Sequence, residues 1–88
     1  MSEKYLKVEM GWERPGDVMA PFRVAAQAGE FGATDGVAYT ERSGEQVVPY
    51  VSEHLWSWVQ RHFGRSILQV GPVDAVPADA TWIHRPKF

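Results

Sequence analysis

The segment from Ser52 to Phe63 constrains the fold most strongly, because its large side chains repeat with the period of a helix. At about 100° per residue, six of them fall on one broad arc together with the preceding Val51: Leu55, Trp56, Trp58, Val59, His62 and Phe63. Ser52 suits the N-cap, and Gly64 follows as a stop. Such an arc has to be buried against another element, and we expect a sheet formed by the preceding strands.

A hairpin is the clearest signal for that sheet. Residues 37–42 and 45–50 are strand-like and flank Ser43-Gly44, which predicts a two-residue loop. This loop would pair Arg42 with Glu45. Pro49 has no N–H to donate to a ladder, so we expect the second strand of the hairpin to lie at the edge of the sheet or to end there.

Other segments have weaker strand patterns. Leu6, Val8 and Met10 alternate within residues 4–10 and predict a strand. The apolar run 66–70 predicts another strand, and residues 82–83 predict a short extended segment.

The segment from Pro21 to Ala28 fits two structures. Phe22 and Val24 begin an alternation that favours a strand, whereas the alanines, with Pro21 before them and Gly29 after them, fit a short helix. We favour the strand, preceded by a turn-rich loop at residues 11–17.

Length and composition limit the chain to one domain. It has 88 residues, of which 44% are hydrophobic and 23% are charged, as in folded proteins. We therefore predict a single α+β domain over residues 1–88: an antiparallel sheet of four to five strands with one amphipathic helix (about 52–63) packed on one face. Residues 84–88 are predicted to form a tail.

The chain has no cysteine. This composition excludes disulfides, thiolate zinc sites, iron–sulfur clusters and cysteine nucleophiles, and it favours a reducing compartment. Residues 1–5 show no start of a signal peptide. No run approaches the ~18–20 apolar residues of a membrane span. We therefore expect a cytoplasmic protein that does not enter a membrane.

The histidines and glycines show no established catalytic, metal or cofactor motif. His54 and His62 are eight residues apart, about 12 Å along a helix, and cannot share an ion. The glycine-rich segment 29–36 has neither dinucleotide-binding nor P-loop spacing. An enzyme, or a minor enzyme subunit, with His62 or His54 as its base and a Glu or Tyr beside it is our alternative hypothesis. It needs a nucleophile and an orienting carboxylate, which the sequence does not locate.

A second alternative is nucleic-acid binding. Residues 54–88 carry four basic and two acidic side chains, whereas residues 1–53 carry five basic and nine acidic ones. Backbone neutralisation requires several clustered cations. Four basic residues spread over this half of an acidic chain make a nucleic-acid partner the weaker alternative.

The aromatic content favours a protein partner. Four Trp, four Phe and three Tyr exceed what a small core needs, and Trp and Arg dominate interface hot spots. The predicted partner-binding residues are Trp12, Trp58, Arg61, Arg65 and Trp82. Substitution of Trp12 or Trp58 by Ala should then remove binding and leave the fold intact.

We therefore expect a non-catalytic protein that binds a macromolecule, most simply a protein, as an inhibitor or accessory subunit. Inhibitors carried by phages or mobile elements, such as anti-CRISPR proteins, are an analogy of size and composition only. No cofactor or metal is expected, and homodimerisation is compatible with this hypothesis.

Overall fold

The computed structural model describes residues 4–11, 15–42 and 46–86, and it confirms the α+β class. Five strands form one sheet in the order β4-β1-β3-β2-β5, with every neighbouring pair antiparallel. The elements, in chain order, are β1 (Tyr5–Met10), α1 (Pro15–Gln27), β2 (Val37–Arg42), β3 (Gln46–Ser52), a 3-10 turn (Glu53–Leu55), α2 (Trp56–Phe63), β4 (Ile67–Val73) and β5 (Thr81–His84).

The main core lies between the sheet and the two helices. Period-two alternation turns Leu6, Val8 and Met10 of β1 towards the helices, as the sequence predicted. This side of the sheet is called the helix face below. From the helices, Phe22 and Val59 reach into the same core, and neither is exposed to solvent. Packing on this face therefore joins both helices to the sheet.

The prediction of a strand at residues 21–28 is wrong, because this segment belongs to α1. Pro15 begins the helix, where the missing N–H costs nothing. Burial follows a helical period through Val18, Phe22 and Ala25, whereas Val24 is 62% exposed. Pro21 lies inside the helix and has no N–H to donate to the carbonyl of residue 17. The predicted single helix is thus one of two, and the predicted loop at 11–17 ends at Pro15.

The helix predicted at 52–63 is confirmed, but it starts differently. Residues 53–55 form the 3-10 turn, and α2 follows to Phe63 with Leu55, Val59 and Phe63 buried. The prediction that Ser52 caps the helix is wrong, since its side chain makes no capping hydrogen bond. The Ser52 hydroxyl instead accepts a hydrogen bond from the Gly36 amide at 2.7 Å.

The hairpin is confirmed, but its predicted register is wrong by one residue. Arg42 pairs with Gln46, and Thr40 pairs with Val48, so three residues separate the strands. A shift of one residue moves every side chain of a strand to the other face. The predicted pairing of Arg42 with Glu45 is therefore not formed, and residues 43–45 lie outside the described residues.

The prediction that Pro49 marks an edge strand is also wrong, because β3 is the central strand. The Ser52 amide donates to the Gly36 carbonyl beside β2. Since backbone groups alternate sides along a strand, the nitrogen of Pro49 faces β1. The β1–β3 ladder runs from Tyr5–Ser52 to Lys7–Tyr50 and stops before Pro49. Pro49 therefore fits in the central strand because it lies just beyond the end of the β1–β3 ladder, where no N–H is needed.

The second face of the sheet is also covered. Tyr5, Ala38, Val48 and Tyr50 point away from the helix face and are buried all the same. Residues 74–80 join the two edge strands, so this connection has to pass from one edge of the sheet to the other. The Trp82 ring of β5 lies on this face, with its centroid 6.3 Å from that of Tyr5. Neither helix of the described chain has the length and apolar character needed to cross a membrane.

We predict that Phe22→Ala destabilises the protein by about 3–5 kcal/mol. The Phe22 ring is fully buried, and its centroid lies 4.9 Å from that of Trp58 and 5.3 Å from that of Phe63, so the change leaves a cavity at the helix–helix contact. Urea denaturation measures the loss. The control on the same helix is Val24→Ala, which should change stability by less than about 0.5 kcal/mol. Equal effects of the two changes would contradict this packing.

Candidate protein-binding edge of the sheet

Strand β4 forms one edge of the sheet, and the hydrogen bonds of β1 show which of its backbone groups point out of the sheet. The Glu53 amide donates to the Lys4 carbonyl at 3.1 Å, so Lys4 and Leu6 direct their backbone groups towards β3. The intervening residues of β1 face β4, where they pair with Gln69, Gly71 and Val73. Val70 and Pro72 therefore direct their backbone groups outwards, Val70 with a donor and an acceptor and Pro72 with an acceptor alone.

A β-bulge in β4 exposes an apolar side chain beside this edge. The register shifts between Glu9–Gln69 and Met10–Ile67, which leaves Leu68 as the extra residue. Leu68 packs against the backbone of Gly11, where an added Cβ would lie 3.0 Å from its Cδ1. It is nevertheless 69% exposed. The bulge thus presents a leucine to solvent next to a backbone edge that no described strand pairs with.

A shallow groove of about 670 Å³ adjoins the same strand. It lies where the helix face is left uncovered between α2 and β4. Four residues, Leu6, Trp56, Val70 and Pro72, give it a largely apolar lining, and Lys4 and Glu53 stand beside them. A groove of this kind, next to an outward-facing backbone, can accept an apolar side chain from an added strand.

The two ends of β4 differ in charge. Arg61 lies in the last turn of α2, and Arg65 lies in the turn that leads into β4, so both exposed cations stand near its start. Glu53 borders the groove near the end of the strand, and the exposed Asp74 directly follows that end. Lys4 also lies there and leaves one net negative charge. The edge is therefore basic at its start and acidic at its end.

The structure does not bring the five predicted partner-binding residues into one patch. Trp12 lies outside the described residues. Arg61 and Arg65 are exposed near the start of β4. Trp58 packs on the helix face, whereas Trp82 lies on the second face, opposite Ala38. The Trp82 ring centroid lies 6.3 Å from that of Tyr5, and the Arg85 guanidinium lies 5.6 Å from the Trp82 ring. His84, assigned from the sequence to a tail, is the last residue of β5.

Trp58 is a member of the aromatic core. Its ring centroid lies 4.0 Å from that of His62, 4.9 Å from that of Phe22, 5.4 Å from that of Phe31 and 6.2 Å from that of Phe63. Its indole N–H is buried and has no hydrogen-bond partner among the residues that the structure describes. Removal of this ring would leave a cavity, so Trp58→Ala would disturb packing and would not report on binding alone.

Asp35 joins three segments beside β2 and β5, which lie at the opposite edge of the sheet from β4. Its buried carboxylate accepts from the Gly32 amide at 2.6 Å and hydrogen-bonds with His54 Nε2, and its carbonyl accepts from His84 Nδ1 at 2.7 Å. The sequence did not locate a carboxylate for His54, because Asp35 is nineteen residues away in a turn. The contact holds the loop before β2 against the 3-10 turn and β5.

This junction supplies an imidazole with an orienting carboxylate, which is one part of an acid–base site. The other parts are not brought together in the described chain. The hydroxyl of Ser52, two residues from His54, is fully buried and bound by the Gly36 amide. His62 is exposed and donates from Nδ1 to the Trp58 carbonyl at 3.0 Å. Across residues 4–11, 15–42 and 46–86, no group of three or more potential ligands could hold a metal ion.

The residues that form the edge and groove were not identified as a site from the sequence. Leu68 and Val70 belong to a run predicted only as a strand, and Trp56 was assigned to the arc of the helix. Nothing in local sequence marks a strand as an edge, since that depends on which strands lie beside it. The available signal was an apolar strand without a charged residue, which is unusual for an exposed edge.

No protein-family model, curated protein or solved structure matches this chain. The description of its site therefore depends on its own residues.

We predict that Asp35→Ala destabilises the fold by about 1–3 kcal/mol, because it removes the acceptor of the part-buried Gly32 amide and the partner of His54. Chemical denaturation measures this loss. Asp79→Ala, at an exposed position in the 74–80 connection, is the matched control and should have little effect. A silent Asp35→Ala variant would show that the junction does not stabilise the loop.

Proposed function

We propose that this chain is a non-catalytic protein that acts by binding another protein, as an inhibitor or accessory subunit, and that the β4 edge is its binding surface. The observation that carries the proposal is the exposed Leu68 beside the outward-facing backbone of Val70 and the apolar groove. A partner segment in extended conformation would add a sixth strand to the sheet. Its main chain would pair with β4, and an alternate side chain would enter the groove.

The residues of β4 give this edge little of the usual protection, which supports this role. Natural sheets protect exposed edges with charged side chains, prolines or covering loops. Within β4, no residue is charged, and Pro72 removes a donor only near the end of the strand. The stretch from Ile67 to Val70 keeps an apolar and pairable edge, which a solitary protein would be expected to avoid.

The residues that the sequence predicted as partner contacts differ in how they relate to the β4 edge. Arg61 and Arg65 remain partner-binding candidates, since they flank the start of β4. Trp82 of the opposite edge strand and Arg85, which directly follows that strand, form a second candidate contact. The cysteine-free composition supports a cytoplasmic setting. The analogy with phage-borne or mobile-element-borne inhibitors stays one of size.

Neither alternative has comparable support. A catalytic histidine would need His54 to face a substrate pocket, and the grooves beside β4 are lined by no histidine. Nucleic-acid binding would need a basic track, but the start of β4 offers Arg61 and Arg65 and its end is acidic. Binding that falls steeply with salt would instead favour nucleic acid.

Affinity capture tests the proposal. The tagged protein is immobilised, nuclease-treated lysate of its source organism is passed over it, and retained proteins are identified by mass spectrometry. Leu68→Asp should lose a stoichiometric partner that the wild-type protein retains, because a carboxylate would be forced against the apolar edge. Leu68 is 69% exposed, so this change should leave the fold intact.

Val24→Asp is the matched control. Val24 is a comparably exposed apolar residue on α1, away from β4, and its replacement should leave capture unchanged. Circular dichroism confirms that both variants are folded. A partner retained equally by wild type and Leu68→Asp would show that binding uses another surface, and a folded protein that retains nothing would oppose the proposal as a whole.

A further inference from the structure

We propose that the β4 edge is self-complementary and that two copies of this chain pair through it, β4 against β4, about a twofold axis at Val70. This inference concerns the surface used in the proposed function, but it predicts the state of the purified protein without a partner. The dimer would cover the edge, and a partner segment would compete with the second copy for it.

The backbone allows this pairing. An antiparallel twofold arrangement places each outward-facing residue opposite its counterpart, and the bonds are exchanged reciprocally. Val70 directs both its N–H and its C=O out of the sheet, as derived above from the β1 ladder. Pro72 offers only a carbonyl. Val70 is therefore the residue at which two copies can exchange a full pair of hydrogen bonds.

The side chains agree with the same register. Counting away from Val70 in opposite directions brings the bulged segment at Leu68 of one copy towards Pro72 of the other. Pro72 and Val70 are apolar, and both border the groove. The exposed leucine of each copy would thus meet an apolar strand end, and the two Val70 side chains would meet at the axis.

The charges agree as well. The antiparallel arrangement brings the turn before β4 of one copy, which carries Arg65, towards the end of β4 of the other, which Asp74 follows. Together with Asp74, Glu53 and Lys4 leave the described residues at that end with one net negative charge. The basic start of each strand therefore meets the acidic end of its partner strand, twice by symmetry.

A second copy fits the edge because its own β4 and the turn before it carry both an exposed apolar side chain and a cation. An unrelated partner would need an apolar side chain and a cation at matching positions, and β4 with its flanking turn already has both, in Leu68 and Arg65. Twofold symmetry then satisfies both edges at once, which is the usual form of a homodimer interface.

The mass of the purified full-length chain in solution tests the inference. Light scattering coupled to size exclusion, over a dilution series up to about 100 µM, should give a mass of about twice 9.9 kDa at the higher concentrations. Leu68→Asp should weaken the dimer at least about tenfold, because it places a carboxylate within the apolar contact between the two β4 strands. The Val24→Asp control should dimerise like wild type.

A charge exchange distinguishes this pairing from any other dimer. Arg65→Glu and Asp74→Arg should each weaken association several-fold, and the double variant should restore it, since the attraction between the two positions is re-formed with the signs reversed. A monomeric wild-type protein would overturn the inference while leaving the β4 edge open to a different partner. A dimer that tolerates Leu68→Asp, or that the double variant fails to restore, would overturn it too.

Discussion

The position of β1 between β3 and β4 is the constraint on which the rest of the structure depends. Residues Tyr5 to Lys7 of β1 pair with β3, and β1 pairs with β4 along its whole length. Strand β1 therefore connects the β2–β3 hairpin to the edge strand β4. The ladder to β3 stops at Pro49, which has no N–H for Val8. Beyond that point β1 is held by β4 and by the core under Val8.

Packing near the start of β1 secures this position. The Tyr5 ring lies so close to Gly36 that an added Cβ there would come within 2.8 Å of it. Glycine is therefore required at residue 36 for close approach, and the Gly36 amide is bound by the Ser52 hydroxyl. The neighbouring Asp35 connects the same point to His54 and His84. The Asp35 junction and the Tyr5–Gly36 contact thus hold β1, β3 and β2 side by side. This order leaves β4 at the edge of the sheet.

The placement of the helices then decides what the edge exposes. Phe22 of α1 and Val59 of α2 are fully buried in one core, and the Trp58 ring packs against Phe22. This arrangement uses most of the aromatic side chains that looked excessive in the sequence. It leaves the part of the helix face between β4 and α2 uncovered, and the groove beside Val70 follows from that. The feature that suggests protein binding is therefore a strand edge with a bulge, whereas Trp58, a predicted contact residue, packs in the core.

Local patterns in the sequence determined the class of the fold, the helix ending at Phe63, the hairpin and the strands around Val8 and Val70, because side-chain periodicity reflects which side of an element is buried. They failed at α1, since Phe22, Ala26 and Ala28 fit a period of two as well as a helix. Tertiary structure alone decided that Pro49 lies in the central strand, that Asp35 binds His54, and that β4 is an edge with Leu68 exposed. Each of these depends on pairing between residues distant in the chain, and only the order of strands in the sheet determines which backbone groups are left without a neighbour.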